Sequence, residues 1–99
     1  MSSASIIVRQ PKRRVASIKA LRPVLGLSIA VLGRRLDEGR PIIEAELFLN
    51  DFADLADKLR ETLRTLESLG DDYAVFEDED EISGEVLINI LEGSESYRL

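Results

Sequence analysis

Val15, Ala16, Ser17, Ile18, Lys19, Ala20, Leu21, Arg22, Pro23, Val24, Leu25, Gly26, Leu27, Ser28, Ile29, Ala30, Val31 and Leu32 form the stretch on which the reading of the fold turns. Val15, Ile18 and Leu21 recur at helical spacing, which predicts a first helix with these three and Ala16 facing a core. Pro11 suits the first turn of that helix. Lys12, Arg13, Lys19 and Arg22 are then left towards water. Pro23 has no amide donor and its ring crowds the preceding turn, so it is expected to stop or kink the helix, with Gly26 supplying the turn. Ser28 reads as the N-cap of a second helix from Ile29 to about Asp37, closed by Gly39, with Arg34 and Arg35 towards its negative dipole end. Ile29, Ala30, Val31 and Leu32 make the start of this helix apolar on every side. The hairpin is therefore either well buried, the commoner outcome, or offers an apolar contact patch. Lys12, Arg13 and Arg14 at a helix N-terminus oppose the macrodipole at about 0.3–1 kcal/mol each when exposed, so local helix stability does not explain them.

Working outward, Ile6, Ile7 and Val8 between serines and Pro11 predict a short buried strand over residues 4–9. Past the hairpin, residues 40–49 begin with Pro41 and the branched pair Ile42 and Ile43, then partly alternate, which predicts a strand with Pro41 at an edge or at its first position. Asn50 or Asp51 would cap the longest helix, carrying Phe52, Leu55, Ala56, Leu59, Leu63, Leu66 and Leu69 at steps of three and four and stopping at Gly70. Its early acids and later cations follow the dipole, which makes those charges structural. Asp71 and Asp72 turn the chain into a strand at Tyr73, Ala74, Val75 and Phe76. Glu77, Asp78, Glu79, Asp80 and Glu81 are five consecutive acids, a self-repelling block read as a solvated loop. The glycine and closing glutamate of a helix-loop-helix calcium site are absent from it, and no metal is assigned. Glu85, Val86, Leu87, Ile88, Asn89, Ile90 and Leu91 read as a further strand, and residues 93–99 as a polar tail. The expected fold is one α+β domain over residues 1–92, a β-α-α-β-α-β sandwich with helices on one face of a small antiparallel or mixed sheet, plus an added C-terminal strand.

Composition limits the chemistry. The 99 residues contain neither Cys nor His, which removes thiolate catalysis, imidazole acid–base catalysis and the usual zinc ligand sets. No nucleophile elbow, phosphate loop or carboxylate pair of defined spacing is present, so no catalytic residue and no cofactor are assigned. No segment approaches the roughly 20 apolar residues that cross a bilayer, and the basic cluster follows the first apolar run at once; the expectation is a cytoplasmic protein without a membrane partner. The net charge of −6 is unevenly placed: residues 1–49 hold nine Lys or Arg against four acids, and residues 50–99 hold four against fifteen. Such a division suits either a surface for an anionic partner with an acidic segment that competes for it, or two solvated surfaces.

Residues 14–27 resemble the C-terminal domain of the bacterial ribosomal stalk protein, whose fold is shared by the Clp protease adaptor. The family's first helix reads K-V-x-V-I-K-x-V-R in one-letter code, followed by a short gap and G-L. Arg14, Val15, Ala16, Ser17, Ile18, Lys19, Ala20, Leu21 and Arg22 take those places here, with Gly26 and Leu27 after three residues. Leu66, Glu67, Ser68, Leu69 and Gly70 before a strand are similar to the family's last helix and strand, and the likeness covers residues 6–77. The resemblance implies a helical hairpin on one face of a three-stranded sheet that recruits translation GTPases, with Lys19, Arg22, Gly26 and Leu27 as contacts. After G-L the family continues with a small residue and L-K-E-A-K. This chain has Ser28, Ile29, Ala30 and Val31, so Ile29 stands for the leucine while charge is exchanged for apolar surface. The signature residues of the Clp adaptor are absent.

The leading expectation is a non-catalytic protein-binding module or adaptor, linked to ribosome or translation-factor interaction, that uses Lys19, Arg22, Gly26, Leu27 and Ile29. One alternative is anion binding through Lys12, Arg13, Arg14, Arg34 and Arg35, or nucleic-acid binding through these together with Lys19, Arg22 and Arg40. That reading is disfavoured by the pI of about 4.6 and by the lack of an aromatic residue among those cations to stack on bases. The other is a self-associating protein, in which the acidic residues 77–85 of one copy cover the basic helix of another or fold back within one chain.

Overall fold

The computed structural model describes residues 3–46 and 52–96. The chain follows β1 (Ser3–Gln10), α1 (Arg14–Leu25), α2 (Ile29–Glu38), β2 (Pro41–Glu46), α3 (Phe52–Leu69), β3 (Asp72–Glu77), β4 (Asp80–Ile82) and α4 (Gly84–Ser96). It is an α+β fold in which four helices accompany one antiparallel sheet of order β2-β1-β3-β4. Alternation places Ala4, Ile6 and Val8 of β1 in the core, while Ser3, Ser5 and Ile7 point to the opposite, partly exposed face. Residues from all four helices join Ala4, Ile6 and Val8 in a single cluster, so the helices cover one face of the sheet.

Two irregularities fit the sheet to this core. The β1–β2 register slips between Ile6 and Ile7, leaving Ile42 as an extra residue, and the bulge lets the adjacent Ile42 and Ile43 both be buried. A second slip sets Arg9 out of register against β3, and its side chain crosses to Glu81 of β4 at 2.7 Å. Pro41 is the first residue of β2, which is an edge strand, the position where a missing amide donor costs no ladder bond.

The helix ends follow cap chemistry. Gly26 and Gly39 take left-handed conformations (φ 69° and 65°) after α1 and α2, and the Arg40 amide reaches back to the Arg35 carbonyl at 2.9 Å. Ser28 caps α2, its Oγ accepting from the Val31 amide at 3.2 Å. Gly70 closes α3 as the spacing predicts, whereas the expected cap at Asn50 or Asp51 lies outside the described residues.

Several expectations are corrected. The helix opens at Arg14, not at Pro11, and Pro23 does not end it: the proline sits in its last turn and α1 continues to Leu25. Only the bond to the Lys19 carbonyl is lost to Pro23, on a side that faces water. Val15 is 68% exposed and does not face the core. The buried stripe of α1 is Ser17, Ile18, Leu21 and Leu25, and Val15 lies about 100° around the helix from its centre. The strand expected over residues 85–91 is helix α4, which runs on through Gly93 to Ser96. Ser83 caps it, accepting from the Val86 amide at 3.1 Å, and Leu87 and Leu91, one turn apart, are both fully buried. The acidic block is no free loop: β3 extends to Glu77, Asp78 takes the tight turn at φ 53°, and β4 begins at Asp80.

Candidate functional site

The hairpin presents its outer side to water. Val15, Lys19 and Arg22 lie within about 60° of one another on α1, to one side of the buried stripe, and all three are exposed. The chain turns by 118° between α1 and α2. A shallow hollow of about 570 Å³ opens at this elbow, lined by Lys19, Arg22, Pro23, Gly26, Leu27 and Ser28. Leu27 is half-buried and rests on the core, whereas Ile29, next along the chain, is 57% exposed. The fold thus brings Lys19, Arg22, Gly26 and Leu27 around one depression with Ile29 beside it. Ala30 and Val31 continue the exposed apolar edge.

Neither Lys19 nor Arg22 has an ion-pair partner among the described residues. The other cations of the basic half are dispersed. Arg14 lies across α2, its Nε and Nη2 donating to the two carboxylate oxygens of Asp37 at 3.0 and 3.1 Å. That hydrogen bond, with the adjoining negative charge, raises the guanidinium pKa further. Gly33 makes the approach possible, since a Cβ there would stand 2.7 Å from Arg14 Nη2. Arg40 pairs with Glu38 at 3.0 Å. Lys12 and Arg13 stand before α1, over a separate hollow with Ala16, Ser68, Leu69 and Asp71. Arg35 faces Arg40, Pro41 and Glu44, and Arg34 is exposed on α2. The anion-binding set of Lys12, Arg13, Arg14, Arg34 and Arg35 is therefore not gathered into one cradle.

Sequence spacing passed over two contributors. Val15 extends the cationic stripe with an apolar side chain, and the steps of four and three that join it to Lys19 and Arg22 were visible. Pro23 walls the hollow, a role open only to a proline inside the helix.

A second hollow of about 690 Å³ lies between α3, β3, β4 and α4, with Tyr73, Arg64, Glu67, Ser83 and Ile88 in its lining. Several of its polar groups are engaged within the fold: the Tyr73 hydroxyl donates to Glu67, Arg64 donates to Glu61, Glu81 pairs with Arg9, and Ser83 caps α4, while Glu85 in the same lining has no ionic partner among the described residues. The Tyr73 phenol is pushed up to about 12, first by burial and then by its hydrogen bond to Glu67 and that carboxylate's charge. Because the folded protein favours the neutral phenol, this contribution to stability is complete below the ordinary value of 10.0 and is lost as pH rises towards about 12. Urea midpoints of the wild type are expected to fall more steeply across that window than those of Tyr73→Phe; parallel profiles would show that the phenol does not titrate with folding.

The fold and surface define a small α+β domain with an exposed basic and apolar helical hairpin. No family model, no curated protein and no solved structure matches the chain. Among the described residues, no single helix is long and apolar enough to cross a membrane, and no three Asp or Glu side chains are grouped so as to hold a metal ion.

Proposed function

We propose that the chain is a non-catalytic protein-binding module, a divergent relative of the ribosomal stalk C-terminal domain, which captures a protein partner on the α1–α2 hairpin. The observation that carries this reading is the pairing of two exposed cations that have no ionic partner among the described residues, Lys19 and Arg22, with the half-buried Leu27 around one hollow and the 57% exposed Ile29 beside it. Apolar surface at the centre and charge at the rim is the composition of a protein-docking patch. The β-α-α-β-α-β order over the first 77 residues supports the likeness. Translation factors are the first partner class to test. Ala30 and Val31, where the stalk family carries charge, give the hairpin a more apolar edge and suit a partner with a matching apolar contact.

The test is capture of partners by immobilised protein from a native extract, with purified translation factors as a separate arm. Lys19→Ala/Arg22→Ala is expected to weaken capture roughly ten-fold, at about 0.7 kcal/mol for each lost charge contact, and to flatten its salt dependence. Arg34→Ala, on the same hairpin but away from the hollow, serves as the control. Capture by the double variant equal to wild type at every salt concentration would overturn the proposal.

A further inference from the structure

The fold carries two patches of opposite charge, a basic one on the hairpin and an acidic one around β4, each with charges that have no ionic partner among the described residues. Cations and acids that reach each other do pair: Arg9 with Glu81, Arg14 with Asp37, Arg40 with Glu38. Lys19 and Arg22 do not pair among the described residues, nor do the acids of the acidic corner, Glu79 and Asp80 at the β3–β4 turn and Glu85 in the first turn of α4. The sheet order explains the separation. The helix α2 packs over β1 and β2, whereas β4 is the opposite edge strand, three strand positions from β2, about 14 Å at roughly 4.8 Å per strand. Among the described residues no ion pair joins the acidic segment to the hairpin of its own chain.

Each patch also carries exposed apolar surface. Among the described residues the large apolar side chains most open to water are Val15 (68%), Ile29 (57%), Val86 (43%) and Val31 (37%). Three belong to the basic hairpin, and Val86 adjoins Glu85 at the acidic corner. The corner is held in place: the Asp78 amide donates to the Ser3 carbonyl at 2.8 Å, the Ser3 amide donates to Asp78 Oδ1 at 2.9 Å, and Ser83 caps α4. Its acids therefore project from a fixed backbone, and docking them orders little new chain.

We propose that the hairpin surface binds a second copy of this chain, with Lys19 and Arg22 of one copy facing Asp80 and Glu85 of the other and Val86 meeting Ile29. This rests on the reading of the α1–α2 hairpin as a protein-docking surface and names a partner for it. The contact joins unlike patches, so it closes as a reciprocal pair or continues as a chain of copies. Charge supplies the orientation, and the assembly loosens as salt rises.

Sedimentation velocity of the full chain tests this between about 0.01 M and 1 M salt, over which the Debye length falls from about 30 Å to about 3 Å. The average mass is expected to rise with protein concentration at low salt and to return to the monomer at high salt. Lys19→Glu/Arg22→Glu and Asp80→Lys/Glu85→Lys, all at exposed positions, are each expected to be monomeric at low salt. An equimolar mixture of the two variants should associate again, because each reversed patch then meets its complement. A wild type that stays monomeric at low salt, variants that still associate, or a mixture that does not recover would each overturn the proposal. Asp80→Lys/Glu85→Lys leaves the hairpin intact, so its capture of a different protein should match wild type, and this separates failure of self-association from failure of the docking surface itself.

Discussion

Replacing Leu87 by alanine is expected to destabilise the protein by about 2–5 kcal/mol, read as a lower urea midpoint with an unchanged slope. Leu87 and Leu91 are fully buried one helical turn apart on α4 and belong to the same core as Ile6, Leu59 and Leu66. Removing the side chain deletes its transfer free energy and leaves a cavity that close-packed neighbours fill only in part. The seat of α4 is tight at its start, where a Cβ on Gly84 would stand 3.1 Å from the Tyr73 hydroxyl and 3.5 Å from Leu63 Cδ2. Val86→Ala, at a 43% exposed neighbour, should change stability by less than about 0.5 kcal/mol. Asn89 separates this helix from the strand expected in its place. An alternating strand would aim residue 89 into the core with Leu87 and Leu91, whereas on α4 it is exposed, so Asn89→Lys should be tolerated. A cost under about 1 kcal/mol for Leu87→Ala would mean that α4 does not complete the core.

Asp71→Ala is expected to cost about 2–3 kcal/mol through polar groups rather than packing. Asp71, 7% exposed, follows the glycine that closes α3, and its carboxylate accepts from the Lys12 amide at 2.8 Å and from the fully buried Ser17 hydroxyl at 2.6 Å. One side chain thus joins the α3–β3 turn to the start of α1 and satisfies the buried Ser17 hydroxyl and the part-buried Lys12 amide. Alanine orphans both, and buried unpaired donors carry the desolvation cost in full. Asp71→Asn keeps one carbonyl acceptor and can donate to a reoriented Ser17 hydroxyl, so a loss of only about 1 kcal/mol is expected. In a double-mutant cycle with Ser17→Ala the two losses should be less than additive, since they share one bond. Additive losses would place the cost of Asp71→Ala elsewhere.

Asp71 also answers a difficulty that the sequence leaves open. Helix α1 has no acid in its first turn, its N-cap Arg13 makes no side-chain capping bond, and three cations crowd its positive end. The compensating carboxylate comes from the far side of α3, some 59 residues along the chain from Lys12. Arg14 is drawn off to Asp37 across Gly33, where a Cβ would push its guanidinium aside. No local window contains either partner.

Local chemistry determined much of the rest. Stops at Gly26, Gly39 and Gly70, the cap at Ser28, the period of α3 and the alternation of β1 follow from backbone sterics, side-chain capping and apolar spacing, all of which act within a few residues. Lys19, Arg22, Gly26 and Leu27 were grouped in the sequence by the resemblance of residues 14–27 to the stalk domain, and the structure sets all four around one hollow. The apolar run at residues 85–91 was ambiguous because branched residues suit strand and helix alike once they are buried. The choice fell to the space beside α3, which Leu87 and Leu91 fill at helical spacing, and to Ser83, a cap easily missed beside a glycine. Which face of α1 meets the core, and hence the exposure of Val15, was likewise set by contact with α2 and α3. Sequence by itself determined the cap at Ser28, the glycine ends of α2 and α3, the α+β class and the cationic stripe, because those depend on neighbours in the chain. The α4 helix, the Asp71 tie and the separation of the basic hairpin from the acidic corner were decided only by tertiary structure, because each depends on residues that folding alone brings together.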